Sequence, residues 1–373
     1  MKSSGFTVFM AVCCLSIIGI CLFGCSDDNP ASSKTYGWAT LGTGMNNGIF
    51  SLAVYDGDLI AGGYFTTAGG ISTYHIAGWD GSEWSPIGTG IYKDYQVTDQ
   101  NEASKNGICA EALAVYGDKL IAAGNMTSAG GVGVNNIASW DGLSWEALSS
   151  GLIGSVGDLT IYDDKLIAGG GIASAGGVSV QNIAAWNGSS WSALSSGING
   201  YVYALTVYDN KLIAGGSFTV AGGVSVSHIA SWNGSSWSPL GSGLDNGVYS
   251  LTVYDGKLIA GGSFTTAGGV SANRVAAWDG SSWVSLGSGC NSYVSALSVY
   301  DGKLIAGGGF TTAGGVSANH IAVWDGSSWS SLGTGMNGAV RAFTVFGNKL
   351  IAGGEFTTAD DESAIRIAVW GPK

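Results

Sequence analysis

A unit of 46 residues recurs along most of the chain and constrains the fold more than any other feature. Aligned on the leucine of the LIAGG motif, the units follow one another at an interval of 61 residues and then at five intervals of 46, at Leu59, Leu120, Leu166, Leu212, Leu258, Leu304 and Leu350. A fixed period of this length is typical of architectures in which each unit buries its apolar faces against its neighbours. The sequence therefore predicts seven repeated units.

Each unit contains four short apolar segments separated by Asp-Gly or Asn-Gly pairs and by glycine-rich loops. Such pairs supply the positive φ angles of a two-residue hairpin turn, as we expect at Asp255-Gly256, Asn233-Gly234 and Asp279-Gly280. The pattern predicts four antiparallel strands in a meander. With 64 glycines and only 11% charged residues, the 373-residue chain fits short buried strands and tight turns better than amphipathic helices.

The last unit lacks its fourth strand, and the matching segment lies at the start of the repeat region. The chain ends at Trp370–Lys373, whereas Trp38–Gly44 (WATLGTG) matches Trp329–Gly335 (WSSLGTG). Pairing of the Trp38 segment with the Trp370 segment would remove two exposed strand edges. We therefore predict an all-β fold over residues 36–373, a seven-bladed β-propeller of four-stranded antiparallel blades closed by an N-terminal strand.

The repeated residues resemble those of two families. The order VYDGKLIAGG, then an aromatic residue and DGSSW with a following leucine, resembles kelch-type propeller repeats. The phrases IAxWDGSSWSxLGSG and VxALxVYDGKLIAGGxFTTAGG are more similar to the repeats of Rax2-like fungal cell-surface proteins and their bacterial relatives. The resemblance covers all seven units and implies a propeller fold. It implies no particular activity, because propellers host unrelated functions.

The first 24 residues are typical of a signal peptide. Lys2 precedes an apolar run over residues 5–24, and the sequence becomes polar at Cys25. The junction Leu22-Phe23-Gly24-Cys25 resembles the lipobox of bacterial lipoproteins, although Phe23 is larger than the residue usual there. The resemblance implies lipid attachment at Cys25 and a tether over residues 25–35, which would anchor the chain stably to a membrane. An uncleaved membrane anchor is the alternative, because the run is long enough to span a bilayer.

Charge and the recurring residues narrow the classes of function. The net charge of −12 disfavours nucleic acid as a partner. Tryptophans at two repeated positions, such as Trp278 and Trp283, are interpreted as core. A third position holds polar residues that we expect to bond the adjacent loop and not to bind a metal, namely His75, Asn136, Asn182, His228, Arg274, His320 and Arg366. No catalytic residue is identified, and whether Cys109 and Cys290 pair is left open.

Departures from the repeat concentrate in loops that a four-strand meander places on one face. An insertion lies between Ile91 and Cys109, and residues 360–363 (DDES) replace the usual AGGV. We expect ligand-binding residues there, at Tyr92, Asp94, Tyr95, Asp99, Glu102, Asp360, Asp361 and Glu362. Tolerated loop drift explains the same departures equally well.

Taken together, these features predict an extracytoplasmic, lipid-anchored binding scaffold at the outer membrane or cell surface. It is expected to be monomeric and to bind a protein or a glycan through its long-loop face. Calcium is the one cofactor that the acidic loops suggest. Two alternatives stay open: a carbohydrate-active enzyme with paired acids at the channel mouth, and a purely structural surface component.

Overall fold

The computed structural model describes residues 36–92 and 109–372, and within these ranges the regular secondary structure consists of β-strands without helices. The strands form seven antiparallel sheets, numbered here 1 to 7 along the chain, each with a path of four strands. Within each sheet the four strands are named first to fourth in the order in which they pair. This arrangement confirms the predicted four-stranded meander.

The first three sheets have the following strands, from first to fourth. Sheet 1 contains β2 (Ile49–Tyr55), β3 (Asp58–Gly63), β6 (Ile76–Trp79) and β7 (Trp84–Pro86). Sheet 2 contains β9 (Cys109–Tyr116), β10 (Lys119–Asn125), β13 (Ile137–Trp140) and β14 (Trp145–Ala147). Sheet 3 contains β15 (Leu152–Tyr162), β16 (Lys165–Ala175), β18 (Ile183–Trp186) and β19 (Trp191–Ala193), with β17 (Val178–Ser179) also paired to β16.

The remaining four sheets repeat the same order. Sheet 4 contains β20 (Tyr201–Tyr208), β21 (Lys211–Ser217), β24 (Ile229–Trp232) and β25 (Trp237–Pro239). Sheet 5 contains β26 (Val248–Tyr254), β27 (Lys257–Gly262), β30 (Val275–Trp278) and β31 (Trp283–Ser285). Sheet 6 contains β32 (Val294–Tyr300), β33 (Lys303–Gly308), β36 (Ile321–Trp324) and β37 (Trp329–Ser331). Sheet 7 contains β38 (Val340–Phe346), β39 (Lys349–Gly354), β42 (Ile367–Pro372) and β1 (Tyr36–Thr40).

Short hairpins follow the second strands, between second and third. They are β4 (Thr67–Ala68) with β5 (Ile71–Ser72), β22 (Val220–Ala221) with β23 (Val224–Ser225), β28 (Thr266–Ala267) with β29 (Val270–Ser271), β34 (Thr312–Ala313) with β35 (Val316–Ser317), and β40 (Thr358–Ala359) with β41 (Glu362–Ser363). In unit 2, β11 (Ser128–Ala129) pairs with both β12 (Val132–Gly133) and β8 (Ile91–Tyr92). These hairpins lie at the end of the sheets where the second strand leads into the third, which is called the long-loop end here.

The first strand of each sheet contacts the first strand of the next, from β2 through β38, and β2 also contacts β38. The pairing predicted for the N-terminal segment is present, since β1 pairs antiparallel with β42 and places Trp38 opposite Trp370. One apolar cluster joins residues of sheets 1 and 7, including Ile49, Leu59 and Ile351. The core therefore lies between adjacent sheets, as expected for units that bury both faces.

The tryptophans behave as core residues, as predicted. In every sheet the two repeated tryptophans form a tilted pair, as at Trp278 and Trp283 with ring centroids 5.5 Å apart. The indole of each fourth-strand tryptophan also donates to a backbone carbonyl of the preceding unit, as Trp329 does to Leu286 at 2.8 Å. In sheet 7 this role falls to Trp38, whose indole donates to the carbonyl of Leu332 at 3.1 Å.

The two-residue turn predicted from the sequence is present between the first and second strands but not between the third and fourth strands. Asp255 and Gly256 both have positive φ (50° and 68°), as the two-residue turn requires. The turn at Asp279-Gly280 is longer and runs over residues 279–282, because Oδ1 of Asp279 accepts the backbone N–H groups of Ser281 and Ser282 at 2.8 Å each. Asn233 makes the same bonds to Ser235 and Ser236. The prediction of two-residue turns at Asn233 and Asp279 was therefore wrong.

Candidate ligand-binding site

A β-bulge interrupts the first strand of every sheet close to its long-loop end. In sheet 1, Ile49 pairs with Gly63 and Ser51 pairs with Gly62, so that Phe50 has no partner in the ladder. The same shift of register occurs in the other sheets, and the bulged residues are Phe50, Glu111, Gly157, Tyr203, Tyr249, Ser295 and Arg341. A bulge bends its strand and changes the direction of the extra side chain.

The bulge position varies in chemistry, whereas the position before it is apolar in every unit. The residue before the bulge is a buried small or β-branched residue in every unit, at Ile49, Ala110, Val156, Val202, Val248, Val294 and Val340. The bulged residue itself is aromatic, acidic, basic or small. The fold therefore keeps the geometry of this position and changes only its chemistry, as expected for residues that contact a ligand on a rigid scaffold.

All seven bulged residues line one cavity of about 790 Å³. The cavity is bordered by the first strands of all seven sheets, including Tyr201 of β20, and also by Tyr64 and Tyr293. Its volume lies within the range of about 300 to 1,000 Å³ that is usual for pockets that bind small molecules. The cavity is the candidate binding site of the protein.

Tyrosines from sheets 4 and 5 form the aromatic part of the cavity wall. The ring centroids of Tyr201 and Tyr203 are 4.6 Å apart, and the ring of Tyr249 meets that of Tyr203 edge-on at 5.4 Å. On the wall formed by sheet 1, the rings of Phe50 and Tyr64 meet edge-on at 4.8 Å. Both edge-on contacts are favourable arrangements for aromatic pairs.

Glycines make room for two of these rings. A Cβ atom on Gly309 would lie 2.5 Å from Cε1 of Tyr293, and one on Gly157 would lie 2.8 Å from Cε1 of Tyr201. A Cβ atom on Gly171 would lie 3.2 Å from the Tyr201 ring. The two tyrosines therefore rest against backbone that carries no side chain, which fixes where the rings can lie.

Polar groups of sheets 1 and 2 form the acidic part of the wall. The Cys109 thiol donates to Oε1 of Glu111, with a sulfur-to-oxygen distance of 3.1 Å. Burial raises the pKa of the Glu111 carboxyl and of the Cys109 thiol above their ordinary values. Burial, with Cys109 and Glu111 nearby, raises the pKa of Tyr64 to about 12. This corner can therefore offer hydrogen-bonding groups to a ligand.

Asp158 follows the bulge in sheet 3 and joins two sheets. Its Oδ1 accepts the backbone N–H of Leu159 at 2.8 Å, and its Oδ2 accepts that of Leu205 in sheet 4 at 2.7 Å. Burial outweighs these two bonds and raises the pKa of Asp158 to about 7. The side chain faces the cavity and is only partly accessible, so that few water molecules can solvate its charge.

The ligand-binding residues predicted from the loops do not line this cavity where the structure describes them. Tyr92 contacts the ring of Tyr74 at 4.9 Å, and Asp361 and Glu362 are exposed in the β40–β41 hairpin. Both carboxylate oxygens of Asp360 accept backbone N–H groups. Asp94, Tyr95, Asp99, Glu102 and the lipid-attachment residue Cys25 lie outside the described residues.

The cavity residues lie in or beside strands, whereas the departures from the repeat had pointed to loops as the place of ligand-binding residues. Their signal is present in the sequence, since the position that follows the repeated buried residue of the first strand is Phe, Glu, Gly, Tyr, Tyr, Ser and Arg over the seven units. A position whose chemistry differs in each unit does not serve the packing that the repeats share.

Most of the repeated polar residues before the third strands hydrogen-bond to nearby backbone carbonyls, namely Asn136, Asn182, Arg274, His320 and Arg366. All seven have positive φ, between 59° and 73°. Asn182 donates to the carbonyl of Ile198 at 2.7 Å, and Arg274 donates to those of Ser263 and Phe264 at 2.8 and 3.0 Å. His75 is fully buried, and burial lowers its pKa to about 4.

Within residues 36–92 and 109–372, no group of three or more His, Cys, Asp or Glu side chains is arranged to hold a metal ion. Cys109 and Cys290 are both buried and form no disulfide with each other. In the same ranges, no helix has the length and apolar character needed to cross a lipid bilayer.

Comparisons with known proteins agree on the fold. A sequence profile of the family described as "Domain of unknown function (DUF5122) beta-propeller" matches residues 209–230, 255–276 and 301–322. No curated protein matches the chain. The matched segments run from the first hairpin turn of a unit into its third strand, in three successive units.

Solved propellers resemble the structure at low sequence identity. The WD40 β-propeller domain of Doa1 is 14% identical, with 91% of this chain and 98% of that chain covered and a TM-score of 0.58. The computationally designed Ika8 protein is 17% identical, with 90% and 99% covered and a TM-score of 0.52. The extracellular domain of BT4673 from B. thetaiotaomicron is 10% identical, with 90% of this chain but 40% of that chain covered and a TM-score of 0.55. The chain is thus a β-propeller repeat protein.

Proposed function

We propose that the protein is a saccharide-binding scaffold whose site is the cavity lined by the bulge residues. The observation that carries the proposal is that the bulge position of the first strand, which differs in chemistry from unit to unit, faces a single cavity in all seven units. A cavity of about 790 Å³ suits an oligosaccharide better than a folded protein partner. Of the two ligand classes expected from the sequence, a protein and a glycan, the proposal keeps the glycan.

The chemistry of the wall supports a saccharide. A sugar ring has apolar C–H surfaces and a rim of hydroxyl groups. Tyr201, Tyr203 and Tyr249 offer flat apolar rings with polar hydroxyl ends, and Glu111 adds hydrogen-bonding capacity nearby. Only three charged residues, Glu111, Asp158 and Arg341, are among the described residues that line the cavity.

The proposed architecture is a closed ring of seven blades, similar to kelch-type and Rax2-like repeats. Three observations support it: the pairing of β1 with β42, the indole bond from Trp38 to Leu332, and the contact between β2 and β38. Closure would leave no sheet face or sheet edge between the first and last units exposed. In such a ring the cavity is the long-loop end of the central channel.

The proposed location is extracytoplasmic, with a lipid anchor at Cys25 in the outer membrane or at the cell surface. The apolar run over residues 5–24 and the lipobox-like junction support export and anchoring. One structural neighbour is itself an extracellular domain. A monomer with its long-loop face open to soluble glycans fits this arrangement.

A glycan array tests the proposal. The protein is probed as the wild type, as the double variant Tyr203→Ala/Tyr249→Ala, and as Leu143→Ala, a control whose side chain is 90% exposed outside the cavity. We expect the wild type and the control to retain the same glycans. The double variant should lose at least about tenfold in affinity, since each ring contributes on the order of 1 kcal/mol. Equal binding by all three proteins would place the site elsewhere.

An enzymatic function is the second candidate, because Glu111 and Asp158 both have raised pKa values in the same cavity. A glycosidase needs one carboxylic acid and one carboxylate on either side of the scissile bond. Both oxygens of Asp158 are already bonded to backbone N–H groups, which favours a binding protein. Incubation of an array-positive glycan with the wild type and Glu111→Gln, followed by mass analysis of products, separates the two functions.

Calcium binding by the acidic loop at residues 360–362 stays a prediction. If this loop binds calcium, addition of calcium should raise the melting temperature of the wild type but not that of an Asp360→Asn/Asp361→Asn variant. The bonds that Asp360 already makes leave Asp361 and Glu362 as the accessible carboxylates of this loop.

A further inference from the structure

An ion pair between Arg341 and Glu355 lies in sheet 7 beside the cavity. Nη2 of Arg341 donates to Oε1 of Glu355 at 3.0 Å and Nε donates to the same oxygen at 3.3 Å. The guanidinium carbon lies 5.5 Å from the centroid of the Tyr293 ring. The Arg366 side chain donates to the backbone carbonyl of Glu355. These contacts fix both ends of the pair.

Both members of the pair depart from the repeat. Arg341 occupies the bulge position, and Glu355 follows the Gly-Gly pair of the second strand. In the other units the Glu355 position holds uncharged residues, namely Tyr64, Asn125, Gly171, Ser217, Ser263 and Gly309. Sheet 7 is therefore the one unit in which both positions are charged, and the charges are opposite.

The ion pair retains hydrogen-bonding capacity. Within residues 36–92 and 109–372, Nη1 of Arg341 and Oε2 of Glu355 make no hydrogen bond with the protein. A donor and an acceptor that lie side by side match two hydroxyls on neighbouring carbons of a sugar, one of which accepts while the other donates. Tyr293, beneath the guanidinium, presents an aromatic ring to the same region.

The charges around the pair disfavour an acidic ligand. The positive charge of Arg341 is offset by Glu355, and the two other charged residues that line the cavity, Glu111 and Asp158, are acids. A ligand carboxylate would have to displace Glu355 from Arg341 while adding a negative charge to an acidic cavity. A neutral ligand meets no such opposition.

We propose that Arg341 and Glu355 are specificity-determining residues that bind two adjacent hydroxyls of a neutral saccharide and exclude acidic saccharides. The inference rests on the proposed function, because it assigns the ligand class of that same cavity. It also predicts that removal of the Glu355 charge reverses the preference. Arg341 would then lie in the cavity wall without the carboxylate that neutralises it.

The test compares neutral and acidic members of matched pairs by calorimetric titration. The probes are tetrasaccharides of glucose, mannose and galactose and the corresponding tetrauronates. Wild-type protein should bind at least one neutral probe at least about tenfold more tightly than its uronate, which corresponds to about 1.4 kcal/mol. Glu355→Gln should bind the uronate more tightly than the neutral probe. Glu362→Gln, an exposed acid of the same unit, is the matched control and should behave as the wild type.

The outcomes separate the two proposals. Equal or tighter binding of the uronate by the wild type, or identical behaviour of Glu355→Gln and Glu362→Gln, would overturn the assignment of specificity and leave saccharide binding intact. Binding of none of the six probes by folded wild-type protein would overturn both proposals. Loss of neutral binding in Arg341→Gln, with an unchanged melting temperature, would support the role of the pair.

Discussion

Oδ2 of Asp360 accepts the backbone N–H of Trp38 at 2.9 Å, although the two residues are 322 positions apart in the chain. Oδ1 of the same carboxylate accepts the backbone N–H of Thr334 at 2.8 Å. In the preceding unit the equivalent of Asp360 is Gly314. Asp360 therefore joins the N-terminal strand to the last two units, at the place where one strand comes from the other end of the chain.

Replacement of Asp360 by glycine should destabilise the protein, because the two bonded N–H groups lose their acceptor. We expect a loss of about 1 to 3 kcal/mol in the free energy of unfolding. Asp361→Gly is the matched control, since both residues have positive φ (51° and 63°) and both changes restore the glycine of the repeat. Urea denaturation measures the difference. Unfolding of the two variants at the same urea concentration would contradict the stabilising role of Asp360.

Trp38 should matter as much as the tryptophans that belong to their units by sequence. It is 2% exposed, lies 5.4 Å from Trp370 and donates to Leu332 as its counterparts do. Trp38→Ala should cost about 3 to 5 kcal/mol, similar to the cost of Trp237→Ala in sheet 4. Thermal unfolding of both variants provides the comparison. A much smaller loss for Trp38→Ala would mean that the N-terminal strand is not an integral part of sheet 7.

Stability should depend on pH through Asp158. Its pKa is raised from an ordinary value of 3.8 to about 7, so the unfolded chain releases this proton at a lower pH than the folded protein does. The contribution of Asp158 to the free energy of unfolding is fully favourable below about pH 4 and is lost as the pH rises towards 7. A shift of this size corresponds to at most about 4 kcal/mol.

Comparison of the wild type with Asp158→Asn isolates this effect from other titrating groups. Relative to the wild type, the variant should be more stable at pH 8 than at pH 5, as measured by urea denaturation at both pH values. A stability difference that is independent of pH, or that changes in the opposite direction, would show that Asp158 does not titrate in this range.

Gly309→Ala should weaken saccharide binding without unfolding the protein. The new Cβ atom would lie 2.5 Å from Cε1 of Tyr293, so the ring has to move, and the end of a tyrosine side chain can do so at little cost. Gly133→Ala is the control, because a Cβ atom there would have no heavy atom within 4 Å. Titration with an array-positive glycan should show a several-fold loss for Gly309→Ala alone. Unchanged affinity would mean that Tyr293 does not contact the ligand.

Much of the fold follows from local sequence rules, because these rules act in every unit. The 46-residue period, the Asp-Gly turns and the missing last strand predicted the four-stranded units and the pairing of the Trp38 and Trp370 segments. The longer turn at Asp279 was not predicted, because it depends on a side-chain oxygen that accepts two backbone N–H groups. Turn type is thus decided by a contact that the Asp-Gly pair alone does not specify.

The candidate site could not be located from the loops, because it depends on register and on contacts between distant units. Glu111 faces the cavity only because a bulge shifts the pairing of β9 with β10. Asp360 has the sequence signature of a surface acid, yet it bonds the backbone of Trp38. Gly309, after the second strand of sheet 6, makes room for Tyr293, which directly precedes the first strand of that sheet. In each case the decisive partner lies in or beside another strand.

The most direct test of the central claim is a crystal structure of the protein with a glycan selected on the array. The account predicts that the sugar lies in the cavity, in van der Waals contact with Tyr203 and Tyr249 and within hydrogen-bonding distance of Arg341 or Glu355. A sugar bound at the hairpin tips, or at the end of the sheets that carries the tight turns, would contradict the claim that the bulge residues form the binding site.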